Sequence, residues 1–284
     1  MANYTAADIK EIRELTGAGM LDVKKALDEA KGDKASAIEV LRVAGAKAAA
    51  KRGERVTAEG LVAAKVIDSK AGQVGYLIEL NSETDFVAKS DDFIALAEEV
   101  LDAIVEADAS SVEDGLKAKT AKHDSVAAAI EDIAGTKLRE NIVLKSVGKV
   151  EGEVVGQYLH KKDPALPPYV GVLVALNGGD EAIASRIATH LSGPLAINGS
   201  FPYKDIADVP KEVLDSEERV ARAKNAGKPD NIMPKIIEGF MRSFYKQNVL
   251  SEQHFGLDDG QPTIKSILNG ATIEDYIGFL VGGE

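Results

Sequence analysis

Cysteine and tryptophan are both absent from the 284 residues of this chain. Without cysteine there can be no disulfide bond, no thiolate metal ligand and no cysteine nucleophile. The lack of disulfides fits a reducing compartment. Hydrophobic residues make up 45% and charged residues 28% of the sequence, which is the composition of an ordinary globular protein and not of a disordered one.

Long apolar runs are missing too. No stretch approaches the ~20 apolar residues that a membrane-spanning helix needs. The first ten residues mix polar and acidic groups and lack the basic start and apolar run of a secretion signal. We therefore expect a cytoplasmic protein whose partners do not include a membrane.

An excess of basic charge is also missing, since the formal net charge is −12 at pH 7. A protein that binds mainly a nucleic acid backbone needs clustered Lys and Arg to release counterions. Residues 1–55 contain eleven Lys and Arg against nine Asp and Glu, for +2, which leaves −14 on residues 56–284. We expect the two parts of the chain to contact different molecular surfaces. We also expect no direct nucleic acid partner.

The usual motifs of nucleotide binding and catalysis do not occur. There is no Gly-rich phosphate loop ending in Lys-Ser or Lys-Thr, and the run from Gly17 to Gly19 lacks the third glycine of a dinucleotide fingerprint. The four histidines are scattered, without metal-ligand spacing, and no nucleophile elbow is present. We therefore expect no cofactor, no metal and no enzymatic activity.

What the sequence does contain begins with helical patterns. A capping box at Thr5 to Asp8 opens a first helix with Leu15 on its apolar face. A second helix is predicted from about Met20 to Ala30 and a third from about Lys34 to Ala50. Together with a basic linker they predict a three-helix bundle as a domain of residues 1–55.

Alternating apolar residues after Leu61 indicate two β-hairpins, each followed by a helix. The segments Leu77 to Asn81 and Leu173 to Asn177 stand at the same place in the two halves, which indicates an internal duplication. We predict an α+β fold whose duplicated core has antiparallel strands and two subdomains, residues 56–148 and 149–284. The second subdomain is expected to carry a helical hairpin at about 211–248 and a C-terminal module at about 262–284.

The first half contains an insertion that the second half lacks. Asn177 leads directly into a helix, whereas Asn81 is followed by the extra segment Ser82 to Ser90. This segment places the aromatic Phe86 among polar residues, and function concentrates on loops held by a rigid scaffold. A structural alternative is that Phe86 acts as a hydrophobic staple for the helix that contains Phe93.

Two motifs make the sequence similar to a known family. Residues Thr16 to Leu27 (TGAGMLDVKKAL) and Asn81 to Ala88 (NSETDFVA) resemble the signatures of translation elongation factor Ts, and the order of bundle, duplicated core and hairpin covers nearly the whole chain. The resemblance implies a UBA-like N-terminal bundle and a guanine-nucleotide exchange factor. Its implied partner is elongation factor Tu, whose magnesium and phosphate site it disturbs.

The resemblance also implies which residues contact the partner. These are Thr84, Asp85, Phe86 and Val87 in the inserted segment, Lys10, Arg13, Met20 and Leu21 in the bundle, and His160 in the core. Two of these residues have structural alternatives: Met20 shares a helical face with Val23 and Leu27 as a core residue would, and His160 could be an ordinary histidine at a strand end. The loop at 161–168 is longer than in many relatives, so the geometry around His160 stays open.

Other functional classes compete with this interpretation. A ribosome- or RNA-binding protein would use the bundle and the basic tract from Arg42 to Arg55, but the tract lacks interleaved aromatic residues. An enzyme would place a site between the halves of the core, but no acid, base or nucleophile pattern supports one. The helical hairpin could contact the partner or form a homodimer contact.

Overall fold

The computed structural model describes residues 3–52, 55–193, 201–257, 260 and 262–283. Its helices are α1 Ala6–Thr16, α2 Met20–Glu29, α3 Lys34–Arg52, α4 Asp85–Ala88, α5 Asp91–Glu106, α6 Val112–Lys117, α7 Val126–Ile133, α8 Glu181–Leu191, α9 Lys211–Lys224, α10 Met233–Asn248 and α11 Ile264–Leu268. Its strands are β1 Glu59–Ser69, β2 Gly72–Ser82, β3 Val143–Gly152, β4 Val154–His160, β5 Val170–Asn177 and β6 Thr272–Leu280. A π-helical turn at Ala134–Leu138 follows α7.

Helices α1 to α3 form a small bundle at the N-terminus. The capping box is confirmed, because Thr5 Oγ1 accepts a hydrogen bond from Asp8 N and the Asp8 carboxylate accepts one from Thr5 N. Ile12, Val23 and Leu27 are fully buried in the bundle core. The expectation for Leu15 was wrong: it is 64% exposed and is not among the residues of the bundle core.

The core contains two three-stranded antiparallel sheets, ordered β1-β2-β3 and β4-β5-β6. Each sheet has a register irregularity, between Glu79 and Leu80 in the first and between Ala175 and Leu176 in the second. These pairs hold the same positions within the two repeated sequence segments. The repeat therefore extends from sequence to backbone geometry, because a bulge bends a strand at a defined residue.

The two sheets pack against each other, and helices cover their outer faces. Leu77 of β2 and Leu173 of β5 lie in the cluster between the sheets, while Ile78 and Val174 lie under helices. The central strands are thus buried on both faces. This burial explains why their sequences are nearly continuous apolar runs and do not alternate.

Two strands show how the halves of the core are bounded. Strand β3 continues to Gly152, so the boundary predicted after residue 148 falls inside a strand. The strand of the C-terminal segment, β6, pairs with β5 and completes the second sheet, so this segment belongs to the core. Helices α9 and α10 pack against each other around Ala221, Ile237 and Met241.

Residues Gly53 and Glu54 of the basic linker lie outside the described residues. Among the helices that the structure describes, none combines the length and the apolar character that crossing a bilayer requires.

Candidate protein-interaction site

The inserted segment folds into a short capped helix and not into an irregular loop. Thr84 is the N-cap of α4, and its hydroxyl accepts a hydrogen bond from Val87 N at 3.4 Å. Ala88 is buried and Val87 packs against the first core cluster, so one side of this turn is anchored. The opposite side carries Phe86, which is 72% exposed.

Phe86 is presented to solvent and does not act as a staple. A staple would bury its ring against α5, whereas the fully buried aromatic in that helix is Phe93. Lys89 Nζ lies 4.3 Å from the centre of the Phe86 ring and 3.4 Å from Asp85 Oδ2. The turn thus combines an apolar ring with one acidic and one basic group.

A carboxylate from a distant part of the chain holds the start of this turn. Glu140 Oε1 accepts a hydrogen bond from the Thr84 hydroxyl at 2.6 Å, and Glu140 Oε2 accepts bonds from the backbone N–H groups of Glu83 and Thr84 at 3.1 and 3.0 Å. In return, Glu83 Oε1 accepts a bond from Asn141 N at 2.7 Å. The turn is therefore fixed to the residues that follow the π-helical turn.

The bundle has a second exposed apolar surface where α1 meets α2. Leu15, Met20 and Leu21 are 64%, 58% and 72% exposed. The interpretation of Met20 as a core residue was wrong, because Met20 is the first residue of α2 and has no further helical turn above it to cover its side chain. A cluster of exposed apolar side chains of this kind is typical of an interaction surface.

Charged residues of α1 lie on the exposed surface of the same bundle. Lys10 and Arg13 are both exposed, and Lys10 Nζ lies 3.7 Å from Glu14. On the other side of the bundle, Lys34 joins α3 to α1 through Asp8 and Glu11, each at 2.6 Å. The hydrogen bond from Lys34, with that from Thr5, holds the pKa of the Asp8 carboxyl well below its usual range.

The two surfaces are attached to one segment of the core. Arg139 Nη2 donates to Asp22 Oδ2 at 3.0 Å, which fixes the first turn of α2. Lys137 Nζ lies 2.8 Å from Asp92, and its side chain packs against Gly17, where an added Cβ would lie 2.6 Å from Lys137 Cγ. The chain from Lys137 to Asn141 thus contacts both the α1–α2 connection and the turn that carries Phe86.

His160 lies at the end of β4, in the second sheet. Its Nδ1 is 2.9 Å from the Tyr158 hydroxyl, and its ring lies 5.9 Å from that of Tyr158 and 5.6 Å from that of Tyr169. The following loop reaches the first sheet, because Val62 N donates to Pro168 O at 2.9 Å. Among the described contacts, none joins His160 directly to Phe86 or to the bundle.

No group of His, Asp and Glu that could hold a metal ion occurs among the described residues. The closest arrangement is a histidine between two carboxylates: His123 Nδ1 lies 3.1 Å from Glu99 and Nε2 lies 3.2 Å from Asp132. It joins α5 to α7, so its role is structural.

Comparison with known proteins identifies the family to which the chain is similar. A model of the family described as elongation factor TS matches residues 83–283. The chain is 46% identical to elongation factor Ts of Beutenbergia cavernae, with 99% of this chain and 100% of that protein covered. The chain belongs to the elongation factor Ts family. It is also 47% identical to elongation factor Ts of Paenarthrobacter aurescens, over 96% of each chain, and 46% identical to that of Mycolicibacterium smegmatis, over 99% of each chain.

Several residues around the elongation factor Ts signature were not identified from the sequence. Glu140 and Arg139 stand next to each other before a predicted strand, where charged residues are usually only solvated. Their partners, Thr84 and Asp22, are far away along the chain, and local periodicity carries no signal for such contacts. Only an alignment that showed coupled changes at these positions could have found them.

Proposed function

We propose that the chain is a guanine-nucleotide exchange factor that binds elongation factor Tu and promotes release of GDP during translation elongation. The observation that carries the proposal is the placement of Phe86. An exposed aromatic ring stands on a turn that is fixed at its base by Glu140, in a chain of the elongation factor Ts family. Aromatic side chains held rigidly in this way are typical anchors of protein interfaces.

Exchange of this kind makes and breaks no covalent bond. The factor binds the partner in a state of weakened nucleotide affinity better than it binds the nucleotide-loaded state. We propose that Phe86 enters the nucleotide domain of the partner and, with Asp85, displaces elements of its magnesium and phosphate site, where the local charges are largest. Linkage then requires that GDP weaken factor binding by the ratio by which the factor weakens GDP binding.

The bundle supplies a second contact in this proposal. Met20 and Leu21 offer apolar area, and Lys10 and Arg13 offer positive charge, which suits an interface with an apolar centre and a charged rim. His160 supplies a third contact, through the strand end beside Tyr158 and Tyr169. Two or more contacts on one rigid chain bind more tightly than either alone.

The proposal also includes the domain organisation, the location and the type of partner. The bundle is UBA-like, and the chain divides into three parts, predicted as residues 1–55, 56–148 and 149–284. We place the boundary between the last two parts at the end of β3, after Gly152. The protein acts in the cytoplasm, is not an enzyme, needs no cofactor and has a protein as its direct partner. A homodimer contact through α9 and α10 stays a prediction.

The competing proposal is a ribosome- or RNA-binding protein. It depends on the basic tract beside the bundle, while residues 56–284 carry −14 and would repel a phosphate backbone. A shift of RNA mobility by this protein that weakens steeply with salt would favour this alternative.

The test of the exchange function is release of fluorescent GDP from elongation factor Tu with and without this protein, chased by excess unlabelled GDP. We expect release to accelerate with the concentration of the protein. Calorimetry of the protein alone with GDP is the control, and we expect no binding because no phosphate loop is present. Unchanged release at saturating protein, or micromolar GDP binding to the protein itself, would contradict the proposal.

A further inference from the structure

The turn that carries Phe86 is held by an exchange of carboxylate contacts between two segments. The Glu140 carboxylate accepts from two successive backbone N–H groups and from one hydroxyl, all belonging to Glu83 and Thr84. The Glu83 carboxylate accepts from Asn141 N and also lies 3.3 Å from Arg55 Nη1. Each segment thus binds the backbone of the other.

These contacts fix direction as well as position. Hydrogen bonds to an ionised acceptor are stronger than neutral ones, and two adjacent N–H groups that point at one carboxylate restrict the backbone torsions between them. The restricted residues immediately precede α4, so they set the axis of that short helix. Phe86 projects from its first turn, and a small rotation at Thr84 would displace the ring.

The carboxylate is only half-buried, and Val87 and Ala88 pack into the core without it. The apolar contacts of Val87 and Ala88 with the core therefore do not involve Glu140. Its contacts serve the orientation of an exposed turn, and the neighbouring Arg139 and Lys137 fix the α1–α2 connection from the same segment.

We infer that Glu140 is a positioning residue for nucleotide exchange: it holds the Thr84 turn so that Phe86 is presented at a fixed angle to the partner. The inference rests on the proposed function. It adds a residue that does not itself enter the partner but orients Phe86, which does. The segment Lys137 to Asn141 then holds both surfaces in a fixed relative position, because the bundle surface and the Phe86 turn are both attached to it.

The test uses the full-length chain with Glu140→Ala, Glu140→Gln and the control Glu131→Ala. Glu131 is exposed, lies near Glu140 and changes charge identically when replaced. We expect Glu140→Ala to slow stimulated GDP release roughly tenfold, as loss of one or two charge-assisted hydrogen bonds would. Glu140→Gln should be intermediate because its amide oxygen still accepts, and Glu131→Ala should match the wild type.

A double variant separates positioning from general damage. In a Phe86→Ala background the Glu140→Ala change should have no further effect, because no ring is left to position. Hydrogen exchange of the free protein gives a second measurement: the amides of Glu83 and Thr84 should lose protection in Glu140→Ala while those of α5 keep theirs.

The outcomes distinguish the inference from the function on which it rests. If the wild type accelerates release and Phe86→Ala slows it, but Glu140→Ala matches the wild type, the inference fails and the proposed function stands. Additive slowing in the double variant, or a loss of protection throughout α5, would also overturn it. If the wild type itself has no effect on release, the proposed function fails first and the inference with it.

Discussion

Phe86 and Phe93 stand close together in the sequence and have opposite environments. Phe86 is 72% exposed on the capped turn, and Phe93 is completely buried in α5. Hydrophobicity alone treats the two residues alike. What separates them is the N-cap at Ser90, which starts α5 with Phe93 facing the first sheet and leaves Phe86 outside that helix.

The two residues therefore give a matched pair of variants. Phe86→Ala should slow stimulated GDP release about thirtyfold, the effect of losing an interface anchor of about 2 kcal/mol, and should change the free energy of unfolding by less than about 0.5 kcal/mol. Phe93→Ala should lower that free energy by about 3–5 kcal/mol because it leaves a cavity. Thermal unfolding and GDP-release assays on both proteins check this. A Phe86→Ala protein that is destabilised but releases GDP at the normal rate would show that Phe86 is not an interface anchor.

At the scale of single elements, a buried tyrosine links the first sheet to the end of α5. The Tyr76 hydroxyl donates to Asp108 Oδ1 at 2.6 Å, and Lys149 Nζ approaches the same carboxylate at 2.6 Å. Burial, and then the hydrogen bond to Asp108, raise the pKa of Tyr76 to about 12. The hydrogen bond from Lys149, followed by that from Tyr76, lowers the pKa of Asp108.

These pKa shifts predict how stability depends on pH. Above pH ~10 an unfolded tyrosine loses its proton while the folded Tyr76 keeps it, so the free energy of unfolding should fall between pH 10 and about 12. Tyr76→Phe removes this titration and should show a shallower decline, although it is less stable at pH 7. Urea unfolding of both proteins at pH 7, 10 and 11.5 measures the difference. Parallel declines would show that Tyr76 titrates normally.

Two glycines at equivalent places in the repeats show how closely the sheets approach. A Cβ on Gly75 would lie 3.0 Å from Leu173 Cδ1, and a Cβ on Gly171 would lie 2.7 Å from Leu77 Cδ1. The contacts are reciprocal: each glycine faces the leucine that follows the equivalent glycine of the other repeat. Carbon atoms normally stay about 3.5–4.0 Å apart, so a methyl group at either site would have to displace buried side chains of the neighbouring sheet.

We therefore expect Gly75→Ala and Gly171→Ala each to lower the free energy of unfolding by about 1–3 kcal/mol. Gly239→Ala is the control, because Gly239 is an exposed residue inside α10 with nothing within 4 Å of an added Cβ, and it should stabilise by about 0.5–1 kcal/mol. Denaturant unfolding checks all three. If Gly75→Ala behaved like Gly239→Ala, the sheets would not be packed as closely as the structure shows.

At the scale of the whole molecule, local patterns and long-range contacts were not equally predictable. The helices, the hairpins and the inserted segment follow from periodicity and turn residues, and the exposed Phe86 stands out because it lies in a segment that the second repeat lacks. The hydrogen bonds from Thr84 to the Glu140 carboxylate join residues 56 positions apart. The exposure of Met20 depends on where the neighbouring helices end. Neither has a local sequence signal.

The placement of the bundle on the core is the last such feature. Helix α3 crosses the π-helical turn at a contact between two glycines: a Cβ on Gly135 would lie 2.7 Å from both the carbonyl carbon and the carbonyl oxygen of Gly45. Backbone atoms cannot move aside as a flexible side chain can. Arg42 adds an ion pair at 3.8 Å from Asp132, and Arg139 and Lys137 hold the α1–α2 connection. The glycine contact limits how closely α3 can approach the core.

Gly135→Ala should therefore push the bundle away from the core without unfolding either part, since the bundle and the sheets have separate hydrophobic clusters. The bundle surface and Phe86 could then no longer contact the same partner molecule at the same time. At limiting protein concentration we expect GDP release to slow several-fold, while saturating protein restores most of the rate because the Phe86 turn is intact. Small-angle scattering should show a larger radius of gyration, and circular dichroism should show unchanged helix content. A wild-type concentration dependence together with an enlarged radius would mean that the bundle and the turn bind independently.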